Sequence, residues 1–549
     1  MDGFFHSVIF VSSRKIRVRI KQDGYCQANQ HLYSHTLIAY GDTVLIGIVI
    51  DVSYYRYPTS EKKMNRKQFV QRMIGGSLAL SFPNQLVAKK GSHSSPNIIL
   101  IMADDLGWNE LGFMGQQKIK TPNIDKLATE GIRFNQFYSG SAVCAPSRCN
   151  LITGNHGGHA YIRNNREIKN KGHIFGGQLP LPEDEPSIAK TLKAAGYTTG
   201  CFGKWGLGAV GTTGDPLNQG FDRFYGYNCQ RHAHNLYPKY LVNNQTNEPL
   251  QGNTRGHTGK TYAPQRIADE MLDFVSKNNG NPFFLYYPTV LPHLPLQVPE
   301  EDLKQYKGLW PETPYNGRSY QPHPTPKACY AAMISFFDKQ VGRLVSLLKQ
   351  LDLDNNTIIL FTSDNGTTHL RSQVDYDFFE SVGPLRGLKG SLHEGGIRVP
   401  FIARWPGMIV PKAESEHLAA NYDLPETIAE IVGVKFAENT DGLSFLPSLL
   451  GKQEAQKGHS HLFWDFAGYG GQIAVRIGKW KGIKKNLRKK PHVSLELYNL
   501  EEDISETHNV ANEYPDIVER IEEIMFLERT PPETKEFRFG TYQDREGLN

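Results

Sequence analysis

Two apolar runs constrain the fold more than any other feature of the chain. Asn97-Ile-Ile-Leu-Ile-Met-Ala103 and Thr357-Ile-Ile-Leu-Phe-Thr-Ser363 are continuous and apolar, the pattern of strands buried on both faces. Each ends in oxygen-bearing side chains, the first in Asp104-Asp105-Leu-Gly107 and the second in Asp364-Asn365-Gly366. Around them helices and strands alternate. A helix starts at Thr121-Pro122 and runs to Glu130, and Arg133 to Tyr138 reads as a strand. Ser187 to Ala195 reads as a helix closed by Gly196, and Tyr197 to Phe202 as the strand that delivers Lys204. Pro282 to Tyr287 is a further strand, followed by Pro292-His293-Leu-Pro295, and Cys329 to Leu351 is a long amphipathic helix. This alternation predicts an α/β protein with a central, mostly parallel sheet flanked by helices. The crevice of such a sheet lies beyond the carboxyl ends of its strands. Asp104, Asp105, Lys204, His293, Asp364 and Asn365 are therefore expected on one rim.

Three acids and an amide offer only oxygen, a set that favours a hard cation such as calcium or magnesium over zinc. In isolation Asp104-Asp105 could cap a helix and Asp364-Asn365-Gly366 could form a turn. Their position after two buried strands favours the metal. Lys204, Lys389 and Arg148, gathered around a cation, would form a pocket for an oxyanion.

A third feature is Cys144-Ala-Pro-Ser-Arg148-Cys-Asn-Leu-Ile-Thr-Gly154. Pro146 suits the first turn of a helix, where its missing N–H is one that no helix start can use, so Cys144 falls at or just before a helix N-terminus. Arg148 returns to the same face four residues on. A helix N-terminus carries free N–H groups and partial positive charge, which with an arginine makes an anion pocket with the sulfur at its lip.

The pattern Cys-x-Pro-Ser-Arg-x-x-Leu-x-Thr-Gly, unbroken from Cys144 to Gly154, resembles the signature of the sulfatase family, and the resemblance extends from about Pro96 to about Leu527. It implies a fold similar to alkaline phosphatase. It also implies that Cys144 is oxidised by a separate maturation enzyme to formylglycine (3-oxoalanine), whose hydrate is the nucleophile, with Arg148 supporting it. Asp104, Asp105, Asp364 and Asn365, together with the Cys144 position, match the ligands of one Ca2+. Lys204 in Gly-Lys-Trp and Lys389 in Gly-Leu-Lys-Gly match the lysines that bind sulfate oxygens, and His293 matches the histidine near the leaving group. In that scheme one hydroxyl of the hydrate attacks sulfur while His293 protonates the departing alcohol, and the second hydroxyl expels sulfate. A serine hydroxyl would be left as a stable sulfate ester with no such exit.

Many members of the family carry histidine two residues after the lysine of Gly-Lys-Trp, where this chain has Gly206. His232 or His234 is expected to supply the missing imidazole or to contact the substrate. Arg163, Asn164, Arg231 and His234 lie in polar stretches that suit substrate contacts, because loops beside a catalytic rim are where specificity resides. The expected activity is calcium-dependent sulfate ester hydrolysis on a sulfated carbohydrate. Two other readings use the same residues. One is phosphodiester or phosphonate ester hydrolysis. The other, motivated by Gly206, is a non-catalytic glycan-binding protein.

Residues 300 to 327, rich in proline and tyrosine, read as a long surface loop. Gly383 to Pro400 is glycine-rich and carries Arg386, Lys389, His393 and Glu394 ahead of a strand from Val399 to Arg404. From about His459 the strands shorten and alternate, as in Ala474 to Lys481 and Leu495 to Tyr498, and a helix spans Tyr514 to Leu527. The expected organisation is a catalytic region over 96–458 and a smaller α+β subdomain around an antiparallel sheet over 459–549.

Before this region, Met64-Asn-Arg66-Lys67-Gln-Phe69 is a basic segment, Met73 to Phe82 is a short apolar stretch, and Leu86-Val-Ala88 ends in a small residue. The pattern resembles a bacterial export signal with a weakened twin-arginine motif, so 64–88 is expected to be a signal peptide and the mature protein to start near Lys89, in the periplasm or outside the cell. Residues 1–63 are then expected to be a mis-assigned upstream extension, the other reading being an amphipathic N-terminal arm. The apolar run Val44 to Ile50 is strand-like and too short for a bilayer.

The formal charge of +5 over 549 residues is small, and basic residues are scattered apart from Lys479 to Lys490. With no nucleic-acid motif, nucleic acid is excluded as the main partner. Six cysteines without Cys-x-x-Cys spacing exclude a dense disulfide framework and leave room for one bridge.

Overall fold

The computed structural model describes residues 95–167 and 178–541, together with the strands Phe5–Ser12, Lys15–Gln22, Leu37–Tyr40 and Thr43–Ile46. The chain divides into two compact units, 1–91 and 92–549. In the first, Phe5–Ser12 pairs with Lys15–Gln22 and Leu37–Tyr40 with Thr43–Ile46, each antiparallel. The expected export segment, 64–88, lies outside the described residues.

The second unit is built on one sheet of ten strands. In chain order these are β1 (Asn97–Asp104), β2 (Ile132–Phe134), β3 (Thr198–Lys204), β4 (Arg223–Tyr227), β5 (Tyr240–Asn243), β6 (Thr246–Pro249), β7 (Phe283–Pro292), β8 (Thr357–Ser363), β9 (Ile402–Arg404) and β10 (Ala413–Ser415). Their order across the sheet is β6-β5-β4-β3-β7-β1-β8-β9-β2-β10. The central five, β4, β3, β7, β1 and β8, are mutually parallel. β5 and β6 on one side and β9 and β2 on the other run antiparallel to their neighbours, and β10 pairs parallel to β2.

β1 explains the continuous apolar run. Every residue of it is buried, because successive side chains enter opposite layers. Ile98, Leu100 and Met102 join one core, and Ile99, Ile101 and Ala103 join the other. Each large apolar side chain so buried contributes roughly 1.5–3 kcal/mol of transfer free energy. The first layer holds α2 (Cys144–Thr153) and α3 (Ile188–Ala194); the second holds α1 (Pro122–Glu130), α4 (Ala263–Lys277) and α5 (Pro326–Gln350). In α1, α4 and α5 a proline stands in the first turn, where no N–H is missed.

Three strand readings before residue 458 need correction. The run Arg133 to Tyr138 is divided: Ile132–Phe134 joins the main sheet, while Phe137–Tyr138 pairs with Ala419–Ala420. Between them Asn135 and Gln136 turn their amides onto Glu414 and Glu416. Of Val399 to Arg404 only Ile402–Arg404 is strand, since Pro400 has no N–H for a ladder. β7 is longer than read, reaching Pro292, with its register shifting between Pro288 and Pro292. The proline- and tyrosine-rich stretch holds one short helix, Glu300–Leu303, and an isolated antiparallel bridge between Tyr315 and His323; its last two residues begin α5.

A four-stranded antiparallel sheet follows, β11 (Leu462–Phe466), β12 (Gln472–Ile477), β13 (Trp480–Lys485) and β14 (Glu496–Asn499). The run Ala474 to Lys481 is a hairpin rather than one strand, turning at Gly478 with φ +54°. A last helix, α6 (Pro515–Leu527), packs Ile521 and Met525 into the same core as α2. Among the described residues no helix is long and apolar enough to cross a membrane. The cysteines described, Cys144, Cys149, Cys201, Cys229 and Cys329, are free thiols, so no bridge joins any two of them.

Candidate active site

The parallel strands β1, β3, β7 and β8 bring their carboxyl ends to one rim. Each brings candidate residues there: Asp104 and Asp105 at the end of β1, Lys204 at the end of β3, His293 just past β7, Asp364 and Asn365 just past β8. α2 begins at Cys144 itself, and all ten of its residues are buried. Val143, at its N-cap, has no side-chain oxygen to offer. The cap comes from a distance, with Ala145 N donating to Asn165 Oδ1 at 2.8 Å.

The thiol of Cys144 donates to Asp104 Oδ1 at 3.3 Å and receives a contact from Lys389 Nζ at 3.4 Å. Lys204 Nζ lies 2.6 Å from Asp104 Oδ2, and Lys389 Nζ lies 2.7 Å from Asp105 Oδ1. Arg148 is fully buried and braces the rim: Nε and Nη2 donate to Asp364 Oδ2 at 3.1 and 2.8 Å, and Nη1 to the Lys204 carbonyl at 2.5 Å. Asp364 Oδ1 in turn accepts from Asp105 N at 3.1 Å. Asp105 stands at φ +63°, a left-handed conformation that aspartate tolerates better than most residues and that tends to mark functional positions.

Burial and mutual repulsion govern these acids. Burial would raise the Asp104 carboxyl, but Lys204, His293 and Arg148 together hold it well below the usual range. Against the same burial, Lys389 and His293 hold Asp105 low. Asp364 goes the other way, pushed up to about 7 by burial and by the charge of Asp104, despite Arg148. Three carboxylates are thus crowded until one of them favours its proton, a cost that a bound cation removes. Asn365 points to the same conclusion: it is fully buried, Nδ2 donates to Asp105 Oδ1 at 2.8 Å, and Oδ1 has no donor among the described residues. Asp104, Asp105, Cys144 and His293 each turn a ligand atom into one cluster, all within 4.8 Å of one another. An orphaned amide oxygen beside three carboxylates fits a hard divalent cation.

His293 Nδ1 is 2.6 Å from the Leu294 carbonyl. A carbonyl only accepts, so Nδ1 carries the proton and Nε2, 3.7 Å from Asp105 Oδ2, is the atom that can gain or lose one. Burial, reinforced by Lys389, brings His293 down to about 4. For Cys144, burial followed by Asp104 pushes the thiol up to about 12. At neutral pH it is fully protonated and a poor nucleophile.

The expected substrate residues separate. The His234 ring stacks on His293 with centroids 5.2 Å apart and 12° between planes, so His234 joins the rim. His232 turns away and meets the Tyr240 carbonyl through Nε2 at 3.0 Å. Arg231 is exposed, 4.0 Å from Glu167. Asn164 Oδ1 accepts from the next backbone N–H. Arg163 is 2% exposed, and its guanidinium reaches the Ala160 and Thr530 carbonyls and Asp465. Sequence reading missed Tyr320, whose ring lies 5.3 Å from that of His234, and Asn165. Tyr320 belongs to the proline- and tyrosine-rich loop, whose composition was its only signal. A second cluster, His156, His159 and Asp441, lies past the C-terminus of α2, where His159 Nδ1 contacts Asp441 Oδ1 at 2.8 Å.

A buried cysteine at a helix start, a cluster of acids beside an orphaned amide oxygen, and two lysines at the carboxyl rim of a parallel sheet suit the hydrolysis of oxyanion esters. Comparison with known proteins narrows the class. The Sulfatase family model matches residues 96–434, and that of the N-sulphoglucosamine sulphohydrolase C-terminal region matches 388–529. N-acetylgalactosamine-6-sulfatase of Rattus norvegicus is 33% identical over 377 residues, 66% of this chain and 67% of the relative. Arylsulfatase A of Homo sapiens is 31% identical over 480 residues, 79% of this chain and 87% of the relative. The solved structure of Ps i-CgsB in complex with k-i-k-neocarrahexaose superimposes with a TM-score of 0.66 at 29% identity, covering 79% of this chain and 92% of that one. The chain belongs to the sulfatase family, with its alkaline-phosphatase-like fold, and is a sulfuric ester hydrolase.

Proposed function

We propose that the protein hydrolyses sulfate esters of a sulfated carbohydrate, using one Ca2+ and a formylglycine made from Cys144. The observation that carries this reading is the Cys144 sulfur, 3.3 Å from Asp104 and 3.4 Å from Lys389, too buried and too basic to serve as a thiolate. Oxidised to formylglycine by a maturation enzyme, this position would supply a hydrated aldehyde. A Ca2+ held by Asp104, Asp105, Asp364 and Asn365 would neutralise charge on a sulfate oxygen. The carbohydrate part of the proposal draws on the sugar named in the Ps i-CgsB complex and on the sugar ester named in the 6-sulfatase relatives.

The chain's own residues do the rest. Lys204 and Lys389 supply positive charge on two sides of the nucleophile position, where sulfate oxygens must sit for attack. Arg148 keeps Asp364 and the end of β3 in register with the helix start. His293, with Nδ1 held by the Leu294 carbonyl, presents Nε2 to pass a proton to the departing alcohol oxygen. His234 and Tyr320 form an aromatic wall over His293 and are the residues we assign to the sugar side of the leaving group.

The test is the mass of the tryptic peptide Phe134 to Arg148 from protein made in its own host, paired with desulfation assays on sulfated glycans. An aldehyde in place of the Cys144 thiol, with sulfate release, is the expected result. An intact thiol in a protein that nonetheless releases sulfate overturns the formylglycine assignment, and an aldehyde without release from any sulfated glycan overturns the substrate class.

A further inference from the structure

Gly206 lies two residues past Lys204, the last residue of β3, at φ +78°. A Cβ there would stand 2.3 Å from Gln230 Nε2, so the bare backbone at 206 is what admits the Gln230 amide. Gln230 is 6% exposed. Among the described residues, neither its Nε2 nor its Oε1 has a hydrogen-bond partner. A buried amide unpaired at both ends is costly and calls for an occupant. Its backbone is held firmly beside the rim: Gln230 N donates to Gln178 Oε1 at 3.3 Å, Gly206 N to the Asn228 carbonyl at 3.3 Å, and Trp205 N to the Tyr227 carbonyl at 2.9 Å. Four residues further along the same loop, His234 stacks on His293. Gln230 therefore sits on the stretch between Lys204, which is 2.6 Å from Asp104, and the histidine pair.

We propose that Gln230 is a substrate-binding residue whose Nε2 donates a hydrogen bond to an oxygen of the sulfate group held beside Lys204. The inference rests on the sulfatase reading above. Its chemistry suits that substrate: the rim already balances Arg148, Lys204 and Lys389 against Asp104, Asp105 and Asp364, and an amide adds a donor without adding charge. A sulfate monoester carries a single negative charge, so a neutral donor supports it without the surplus positive charge that would draw in a doubly charged phosphate ester.

The experiment uses the full-length matured protein and the variants Gln230→Leu and Gln230→Glu. The readouts are calorimetric binding of inorganic sulfate and the pH profile of kcat/KM for 4-nitrophenyl sulfate. Gln230→Leu, which keeps the shape and removes the donor, is expected to lower kcat/KM and sulfate affinity by about 10- to 100-fold with the urea midpoint held or raised. Gln230→Glu is expected to lose more at pH 8 and to recover toward acid, as its carboxyl takes up a proton and becomes a donor. Wild-type values in Gln230→Leu, or a Gln230→Glu profile parallel to wild type, overturn the inference while leaving the sulfatase reading intact. A wild-type protein that neither binds sulfate nor cleaves the ester overturns both.

Discussion

At the scale of single residues, Asn365 and Glu110 carry the sharpest consequences. Asn365 Oδ1 is buried without a donor among the described residues, the state of an oxygen that serves a cation. If the proposed Ca2+ site is as assigned, Asn365→Leu is expected to weaken calcium binding by at least about tenfold in a calorimetric titration, and an unchanged affinity would remove Asn365 from the proposed ligands. Glu110 is fully buried: it accepts from Gly107 N at 2.6 Å and from the Tyr330 hydroxyl at 2.8 Å, and burial pushes its carboxyl up to about 7. The sign follows. Between pH 4.5 and 7 the folded chain keeps a proton that the unfolded chain has shed, so stability falls as pH rises through that window, by about 3 kcal/mol in all. Glu110→Gln can still accept from Gly107 N and donate to Tyr330 or Thr367, so it should flatten this slope and raise the melting temperature at pH 8. A slope equal to wild type would show that Glu110 does not titrate there. Asp104, Asp105, Asp364 and Asn365 were legible in the sequence because each pair directly follows an unmistakable strand. Glu110 and Gln230 were not, since a buried carboxyl and a buried amide look like any surface glutamate and glutamine until burial is known.

At the scale of elements, α2 is a helix that starts at Cys144, the proposed nucleophile position, and whose every residue is buried. Its local signals are Pro146 in the first turn and Gly154 at the C-cap with φ +73°. Both were readable. The side-chain cap was not, because Val143 cannot supply one and Asn165 arrives from 20 residues away. Asn165→Ala is expected to cost about 1 kcal/mol of stability. Because the freed N–H belongs to Ala145, it should also lower turnover more than a surface alanine substitution of equal stability cost. A stability loss with wild-type kcat would confine Asn165 to holding the helix.

At the scale of the whole molecule, Asp465 on β11 accepts from Arg529 Nε at 2.8 Å and lies 3.4 Å from Arg163 Nη1, all three side chains being buried. This knot ties the stretch following α2 to the antiparallel sheet and to the segment following α6. Asp465→Leu leaves two buried guanidinium groups without their carboxylate, and is expected to cost about 3–5 kcal/mol, read as a lower urea midpoint with kcat per folded molecule preserved. A midpoint within experimental error of wild type would show that the knot adds nothing. The same knot shows where the guanidinium of Arg163, which sequence reading set beside the substrate, goes: besides the Ala160 carbonyl it engages Asp465 and Thr530, both more than 300 positions away. Local patterning determined the strands, the helices and the motif at Cys144, because burial periodicity, prolines in first turns and glycine at helix ends act over a few residues. Only the tertiary structure decided which histidine meets His293, which carboxylate Arg148 braces and which amide lies over Gly206. Those choices depend on distances between segments far apart in the chain, and buried charges and hydrogen bonds take their energies from such distances.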